Sequence, residues 1–390
     1  MLDHLTTCAA DLLLTCVNGQ MLIAQFYDSK LLDGLTVLLV LVVVVTLALL
    51  LVAGQILKRQ PESNFDPAIV RTFNKRVIAS LTMCVILVVA LSTGGRLLTV
   101  ILFGLVSFWA LREFITMTPT RRGDHRTLFW VFFLFTPLQY VLVALIPDDY
   151  LQQTRMNAFA LFTLVIPVYA SLFIPARIAF TSDHKRFLER TAKIQFGLLI
   201  CVYALSHAPA LLYLDLSQWD PSSNELKDWQ GSDRPGGLLF FLIVMVQLSD
   251  MLHFVWDRLN GKHVIAPTVH PTKSWEGLIG SAVCCAVCGI IIQLLFPVTP
   301  FTWHGAGLMA LLISVMASSG SMTMSAIKRD RGIKDYGTLV AGHAGVLDRI
   351  DSFCFAAPIF FHVTRFFLER KVEVETVPSG VVQLINFFLV

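Results

Sequence analysis

The chain has 390 residues, of which 55% are hydrophobic and only 15% charged, with a mean hydropathy of +0.69 and a formal net charge of +3. A soluble domain has about 25% charged residues, so the composition excludes a simple soluble fold. The abundance of apolar residues excludes a disordered chain. The cysteines are too sparse for a small secreted module held together by disulfides. The composition instead predicts an all-α fold, a polytopic helical bundle integral to a membrane.

Ten apolar segments can form membrane-spanning helices, each of which needs about 20 residues. They are predicted over residues 35–57, 77–93, 97–117, 127–146, 158–180, 194–214, 236–256, 277–296, 306–327 and 350–368. The segments at 77 and 350 are short enough to be tilted or broken. The first thirty residues contain three aspartates and no basic leader, which favours a peripheral amphipathic helix over a signal peptide.

Lysine and arginine are distributed unevenly between alternate loops. The loops after helices 1, 3, 5, 7 and 9 hold 22 of the 30 basic residues. Because basic residues concentrate in short cytoplasmic loops, loops 7/8 and 9/10 are predicted to face the cytoplasm, with both termini outside. The spread of these bases over membrane-proximal loops argues against nucleic-acid binding.

The chain shows no internal repeat or long linker, but its two parts differ in character. Residues 1–235 are predicted to form the peripheral helix and transmembrane helices 1–6, with polar residues confined to loops. In residues 236–390 the polar residues enter the helices and crowd the two cytoplasmic loops. This second part is therefore predicted to be the catalytic transmembrane region.

Ionisable residues within a membrane span are costly and are functional candidates by default. Asp250 lies in the cytoplasmic half of helix 7, and His253 and Asp257 follow on the same helical face. The alternative for Asp250 is a structural hydrogen bond to a neighbouring helix. Glu113, near the inner end of helix 3, is expected to pair with Arg112 or with a basic loop residue.

Two cytoplasmic loops concentrate polar chemistry. The loop after helix 7 contains Lys262 and Lys273 among prolines and glycines, which suits phosphate binding, although topology alone also calls for basic residues there. Residues 325–351, with the sequence SAIKRDRGIKDYGTLVAGHAGVLDRID, mix charges of both signs. On a helix, Asp348 and Asp351 face one way, and such a pair can hold Mg²⁺ together with substrate phosphates. The alternative is a solvated loop with internal salt bridges.

This segment resembles the signature of the phosphatidate cytidylyltransferases, also called CDP-diacylglycerol synthases. The matching elements are Ser325, Lys328-Arg329, Lys334-Asp335, His343-Ala344-Gly345 and Asp348-Arg349-Ile350-Asp351. A second block of the family is similar to Ser249-Asp250, Gly261-Lys262 and Pro271-Thr272-Lys273-Ser274-Trp275-Glu276-Gly277. The resemblance covers about residues 236–365.

The resemblance implies a Mg²⁺-dependent reaction of CTP with phosphatidic acid, with a monovalent cation such as K⁺ beside the Mg²⁺. The products would be CDP-diacylglycerol and pyrophosphate. It implies catalytic roles for Asp250, Lys273, Lys328, Arg329, Lys334, Asp335, His343 and Arg349. It implies substrate binding by Lys262, Ser274, Trp275, Glu276 and Ser321, and metal binding by Ser325, Asp348 and Asp351. We also expect a bacterial inner membrane with the active site on the cytoplasmic side, and a homodimer.

The chain departs from the family pattern at Ser321, where members carry an aspartate that is a metal ligand. We hypothesise that Asp257, on the face of Asp250, supplies the missing carboxylate. Two alternatives to the phosphatidate reaction stay open. One is a CTP-dependent enzyme acting on another lipid phosphate or a polyprenol. The other is a catalytically degenerate lipid-binding or transport homologue, which Ser321 favours and the retained charged motifs oppose.

Overall fold

The structure is a computed structural model of the chain. It describes residues 34–59, 67–117, 120–145, 158–181, 183–214, 216, 218–220, 225–227, 235–332 and 345–372. The segment expected to form a peripheral helix lies outside these residues. The division of the chain near residue 235 stays a prediction.

In the described part of the chain, ten helices are long and apolar enough to cross a membrane, as the sequence predicts. They are α1 Gly34–Ile56, α2 Phe73–Thr93, α3 Gly95–Met117, α4 Arg122–Ala144, α5 Ala158–Ala179, α6 Phe187–Tyr213, α7 Gly236–Leu259, α8 Trp275–Leu295, α9 Trp303–Asp330 and α10 Leu347–Leu368. The helix that contains α10 continues to Val372. The prediction of a polytopic helical membrane protein is therefore confirmed.

The helix that contains α2 and α3 begins at Pro67, ten residues before the predicted start at 77, and α6 begins seven residues before the predicted start at 194. The first turns of α6 are charged, yet their charges have partners. Arg190 is buried and pairs with Asp124 at the start of α4 and with Asp183, 3.0 Å away. Lys193 pairs with Glu189 one turn before it. These ion pairs let polar residues lie within a helix that hydropathy alone ends earlier.

Helices α2 and α3 are joined at Gly95 without an intervening loop. Gly95 has φ 58° and ψ −145°, a backbone conformation that is essentially restricted to glycine. Leu87 of α2 and Phe103 of α3 line one cavity on either side of this point. The two helices therefore turn back on one another at Gly95.

Helices α7 to α10 pack together around buried aromatic side chains. Phe241 of α7 stacks on Phe360 of α10, and Phe301, just before α9, meets Phe360 edge to face. Between α8 and α9 the contact is close because Gly289 lies against Ala306 and Ala310, where an added Cβ would clash. Small residues at a helix crossing let backbones approach in a membrane. These contacts lie in the first half of α7 and α9 and in the second half of α8 and α10, away from the α7–α8 connection, and hold the four helices together there.

Two short antiparallel hairpins interrupt the helical pattern. Strand β1 (Gln218–Asp220) pairs with β2 (Glu225–Lys227), and β3 (Val264–Ala266) pairs with β4 (His270–Ser274). The second hairpin is the connection between α7 and α8, which the sequence analysis treats as a shaped loop. Trp275 begins α8 directly after β4, whereas residues 260–263 separate the end of α7 from β3.

Candidate active site

The polar face of α7 points into the bundle. The hydroxyl of Ser352 on α10 donates to Asp250 Oδ1 at 2.9 Å. His253 is buried, and its Nδ1 lies 3.1 Å from the hydroxyl of Ser318 on α9. Arg76 of α2 reaches the same region, where its guanidinium donates to the main-chain carbonyl of Asp250 at 3.4 Å. Three other helices therefore meet at the inner half of α7.

Asp257, one turn after His253, holds the β3–β4 hairpin. Its Oδ1 accepts hydrogen bonds from the Ser274 amide at 3.0 Å and from the Ser274 hydroxyl at 2.7 Å. The same hydroxyl accepts from the Gly277 amide at 3.0 Å and so caps α8. A side chain at Gly277 would collide with the Asp257 carboxylate. The turn thus depends on Ser274 and on the absence of a side chain at Gly277.

Lys273 is brought inward by that arrangement and is only 7% exposed. Burial lowers its pKa, and the nearby carboxylates of Asp250, Asp351 and Asp257 oppose that shift. Arg76 adds to the lowering through like-charge repulsion. Lys273 therefore lies among three carboxylates in a place that excludes most water.

His270 is at the start of the same strand but has a different charge state. Burial lowers the pKa of His270 to about 4, and the positive charge of Lys273 adds to the shift. This histidine is consequently neutral at neutral pH. It cannot serve as a cation for a phosphate group.

The first turn of α10 presents the two aspartates of the signature. Asp348 accepts from Lys328 of α9 at 2.9 Å. Asp351 accepts from the Ser352 amide at 2.7 Å, and the Ser352 hydroxyl that binds Asp250 is 3.4 Å from the same oxygen. Asp250 and Asp351 are thus neighbours across the α7–α10 contact. The structure brings Asp250, Asp351 and Lys273 into one cluster.

Close packing of α9 against α10 places the signature serine beside this cluster. A side chain at Gly320 would clash with the Asp351 main-chain carbonyl and with the Phe355 ring, so the backbones of α9 and α10 approach closely here. Ser325 is buried, and its hydroxyl donates to the Ser321 carbonyl at 2.8 Å. Arg329, one turn further, donates to the Val269 carbonyl in the hairpin turn at 3.2 Å.

The other predicted site residues lie further from the cluster. Lys262 is exposed, Trp275 is half exposed, and Glu276 pairs with His263, whose Nδ1 is 2.5 Å from Glu276 Oε1. Arg349 faces a cavity beside α2. Lys334, Asp335 and His343 lie outside the described residues.

Two residues at the site, Arg76 and Ser352, were missed by sequence reasoning, and a third residue, Glu113, has other partners than expected. Arg76 and Ser352 have no signature of their own; only the charge of Arg76 near the inner end of a helix offered a signal. Glu113 was expected to pair with Arg112 or a loop base. Instead its carboxylate accepts from the Val346 and Leu347 amides, at 3.1 and 2.9 Å, and so caps the start of α10. The guanidinium of Arg112 lies over the Trp109 ring.

Comparison with known proteins identifies the family. The model described as the cytidylyltransferase family matches residues 74–367, about three quarters of the chain. The chain belongs to the cytidylyltransferase family. This confirms the predicted membrane-embedded nucleotidyltransferase and the resemblance carried by the charged motifs.

Individual relatives give a narrower picture. The chain is 36% identical over 275 residues to "Uncharacterized protein YnbB" of Escherichia coli (strain K12), a match that covers 70% of this chain and 81% of that protein. It is 41% identical over 115 residues to the phosphatidate cytidylyltransferase of Mycobacterium bovis, covering 30% of this chain and 37% of the relative. It is 31% identical over 121 residues to the phosphatidate cytidylyltransferase of Staphylococcus saprophyticus, covering 31% of this chain and 46% of the relative. The chain thus spans less than half the length of these two phosphatidate cytidylyltransferases.

Proposed function

We propose that this member of the cytidylyltransferase family transfers CMP from CTP to phosphatidic acid and releases pyrophosphate. The observation that supports this most directly is the cluster of Asp250, Asp351 and Lys273, with the Lys328–Asp348 pair beside it. Charges of both signs at the inner ends of α7, α9 and α10 suit a polyphosphate and a divalent cation together. The phosphatidate cytidylyltransferases among the relatives favour phosphatidic acid as the acceptor.

In the proposed reaction an oxygen of the phosphatidate phosphate attacks the α-phosphorus of CTP. The bond from that phosphorus to the bridging oxygen breaks, and pyrophosphate leaves with the electron pair. No protein nucleophile is needed, so the enzyme contributes positioning and charge stabilisation. Lys273 and Lys328 would bind the phosphate oxygens, and Arg329 and Lys334 would assist from the loop after α9.

The donor types at the site are those that a magnesium ion takes, and within the described residues no three His, Cys, Asp or Glu side chains come together as a complete ligand set. Mg²⁺ prefers carboxylate oxygens combined with substrate phosphates and water, and Asp250 and Asp351 present two carboxylates that converge on one hydroxyl. Asp351, Asp348 and Ser325 remain the predicted ligands, with Asp250 next to Asp351. When bound there, Mg²⁺ would neutralise charge on the phosphates. A monovalent cation beside it, such as K⁺, is part of the same proposal.

The excess of basic residues in the loops at these helix ends supports a cytoplasmic active site. A bacterial inner membrane is the proposed location because the relatives are bacterial proteins. A homodimer, and the absence of a role in nucleic-acid binding, stay predictions.

A second candidate function follows from Ser321. A hydroxyl there gives one carboxylate fewer than the family pattern, which favours a lipid-binding or transport protein without catalysis. A CTP-dependent enzyme for another lipid phosphate or a polyprenol is the other alternative. The retained Lys328, Asp348 and Asp351 argue against loss of catalysis. Burying charged groups costs free energy, and a protein without catalysis would have no need to keep them.

The test uses the purified full chain with CTP labelled at the α-phosphate, Mg²⁺ and phosphatidic acid in detergent micelles. We expect labelled CDP-diacylglycerol and an equal amount of unlabelled pyrophosphate, with formation at least about 100-fold slower in Asp351→Asn. Asp330→Asn is the matched control, since Asp330 is an exposed carboxylate at the end of α9. Product only with another lipid phosphate or a polyprenol would support the second enzyme. If no product forms with any acceptor and CTP does not bind, the result would support the lipid-binding or transport protein without catalysis.

A further inference from the structure

A cavity of about 660 Å³ opens between α2, α3 and α10. Its walls are almost entirely apolar and include Met83 and Leu87 of α2, Phe103 of α3 and Phe353 of α10. The volume is within the roughly 300–1,000 Å³ typical of sites that enclose small ligands. An alkyl chain is the ligand chemistry that such walls fit.

Two cations line this otherwise apolar cavity. They are Lys75, eight residues after the helix of α2 begins at Pro67, and Arg349, in the first turn of α10. Within the described residues, neither forms an ion pair with a carboxylate. Both helices begin on the side of the bundle that carries the charged loops. The cavity thus has an apolar length and a positively charged inner end.

The cavity is open towards the lipid side of α2. Ile78 and Ile86 of α2 line it, yet they are 52% and 47% exposed. On its inner wall, Leu87 and Phe353 are 3% and 2% exposed. A molecule dissolved in the bilayer can therefore enter sideways between α2 and α10 without crossing the protein core.

The charged end of the cavity adjoins the carboxylate cluster. Arg349 is two residues before Asp351 on the same helix. Arg76, next to Lys75 in the chain, reaches the Asp250 carbonyl. A phosphate held by Lys75 and Arg349 would therefore lie beside the centre at which CTP is proposed to bind.

We propose that this cavity is the binding site of the lipid phosphate acceptor. One acyl chain of the acceptor lies between α2, α3 and α10, and its phosphate monoester lies between Lys75 and Arg349. This inference rests on the proposed function, because it names where its acceptor binds. It gives α2 and α3, which lie outside the charged motifs, the task of choosing the acceptor.

The first experiment measures binding without CTP. A phosphatidic acid with a photoreactive diazirine near the end of one acyl chain is irradiated with the purified protein, and the labelled peptides are mapped by mass spectrometry. We expect labels on α2, α3 and α10 around the cavity, and their loss when unlabelled phosphatidic acid is added in excess. Labels confined to other helices would overturn the proposal.

The second experiment compares paired variants on α2. Met83→Trp fills the cavity and should abolish labelling of its walls, while Val85→Trp, on an exposed position of the same helix, should not. Lys75→Gln should weaken lipid phosphate binding roughly 10- to 100-fold, since one hydrogen bond to a charged group is lost. Arg71→Gln, one turn earlier and exposed, should leave it unchanged. Equal effects within either pair would contradict the site.

These results separate the site from the proposed function. Labelling of the cavity without any CTP-dependent product would support a lipid phosphate site in a protein that does not transfer cytidylyl groups. Product formation with labels elsewhere would support the reaction and refute this cavity as the acceptor site.

Discussion

Asp250 of α7 and Asp351 of α10 approach the same hydroxyl group, that of Ser352, at 2.9 and 3.4 Å. Asp351 is buried and Asp250 is half-buried, and two carboxylates so placed repel each other, most strongly where water is excluded. Lys273 and Arg76 offset part of it. A cation bound between the carboxylates would offset the rest, which makes this pair the most specific feature of the site.

The pair can be tested by removing one charge at a time. Asp250→Asn and Asp351→Asn should each lower turnover by about 100-fold or more and raise the Mg²⁺ concentration needed for half-maximal activity. Ser352→Ala removes only the shared hydroxyl and should cost roughly 10-fold, as groups behind a metal ligand usually do. The measurement is the initial rate as a function of Mg²⁺. An unchanged Mg²⁺ requirement in both Asn variants would contradict a metal role.

Asp257 has two candidate roles, an anchor for the hairpin and a replacement for the carboxylate absent at Ser321. Asp257→Asn tests both, whereas Ser274→Ala weakens the anchor and the cap of α8 but leaves the Asp257 carboxylate in place. If Asp257 is a ligand, its variant should raise the Mg²⁺ requirement by about 10-fold and Ser274→Ala should not. Unchanged activity in Asp257→Asn would refute the replacement hypothesis. If both variants lose activity equally and the Mg²⁺ requirement is unchanged, the result would support only the role of Asp257 as an anchor for the hairpin.

The pH dependence of catalysis should report on Lys273. Burial lowers the pKa of its ammonium group below the ordinary value of 10.5. Its positive charge is present below that lowered pKa and is lost as the pH rises through it. We therefore expect kcat/KM for CTP to fall on the alkaline side earlier than an ordinary lysine would allow.

Lys273→Arg supplies the control for this assignment, because arginine stays charged over the whole range. The variant should move the alkaline fall to higher pH even if its maximal rate is lower. If both proteins show the same alkaline fall, another group is responsible for it.

Glu113 should contribute to stability through the backbone of α10. Its carboxylate accepts from two amides at the start of that helix and from the Trp109 ring nitrogen. Glu113→Ala should lower the free energy of unfolding by about 2 kcal/mol, the upper end for loss of a helix cap. Arg112→Ala, at the neighbouring position, should cost about 1 kcal/mol or less. Thermal unfolding in the same detergent compares the two.

The number and approximate bounds of the helices were predictable because a bilayer requires about 20 apolar residues in every span. The start of α6 was not, since the pairing of Arg190 with Asp124 joins distant residues. The β3–β4 hairpin was read only as a loop, because β3 has three residues and two prolines lie nearby.

At the site, the sequence motifs predicted Asp250, Lys273 and Asp351 as separate functional residues. Their convergence depends on how α7 packs against α10, which no local pattern contains. Arg76 belongs to the other part of the chain and reaches the site only through tertiary structure.

The cap of α10 has a consequence for evolution of the sequence. Glu113 recognises two main-chain amides rather than side chains, and every residue except proline offers such an amide. Val346 and Leu347 can therefore be replaced during divergence while the contact persists, whereas Glu113 cannot change freely. We expect position 113 to be constrained without any compensating partner, so covariation between homologous sequences would not reveal the link between α3 and α10.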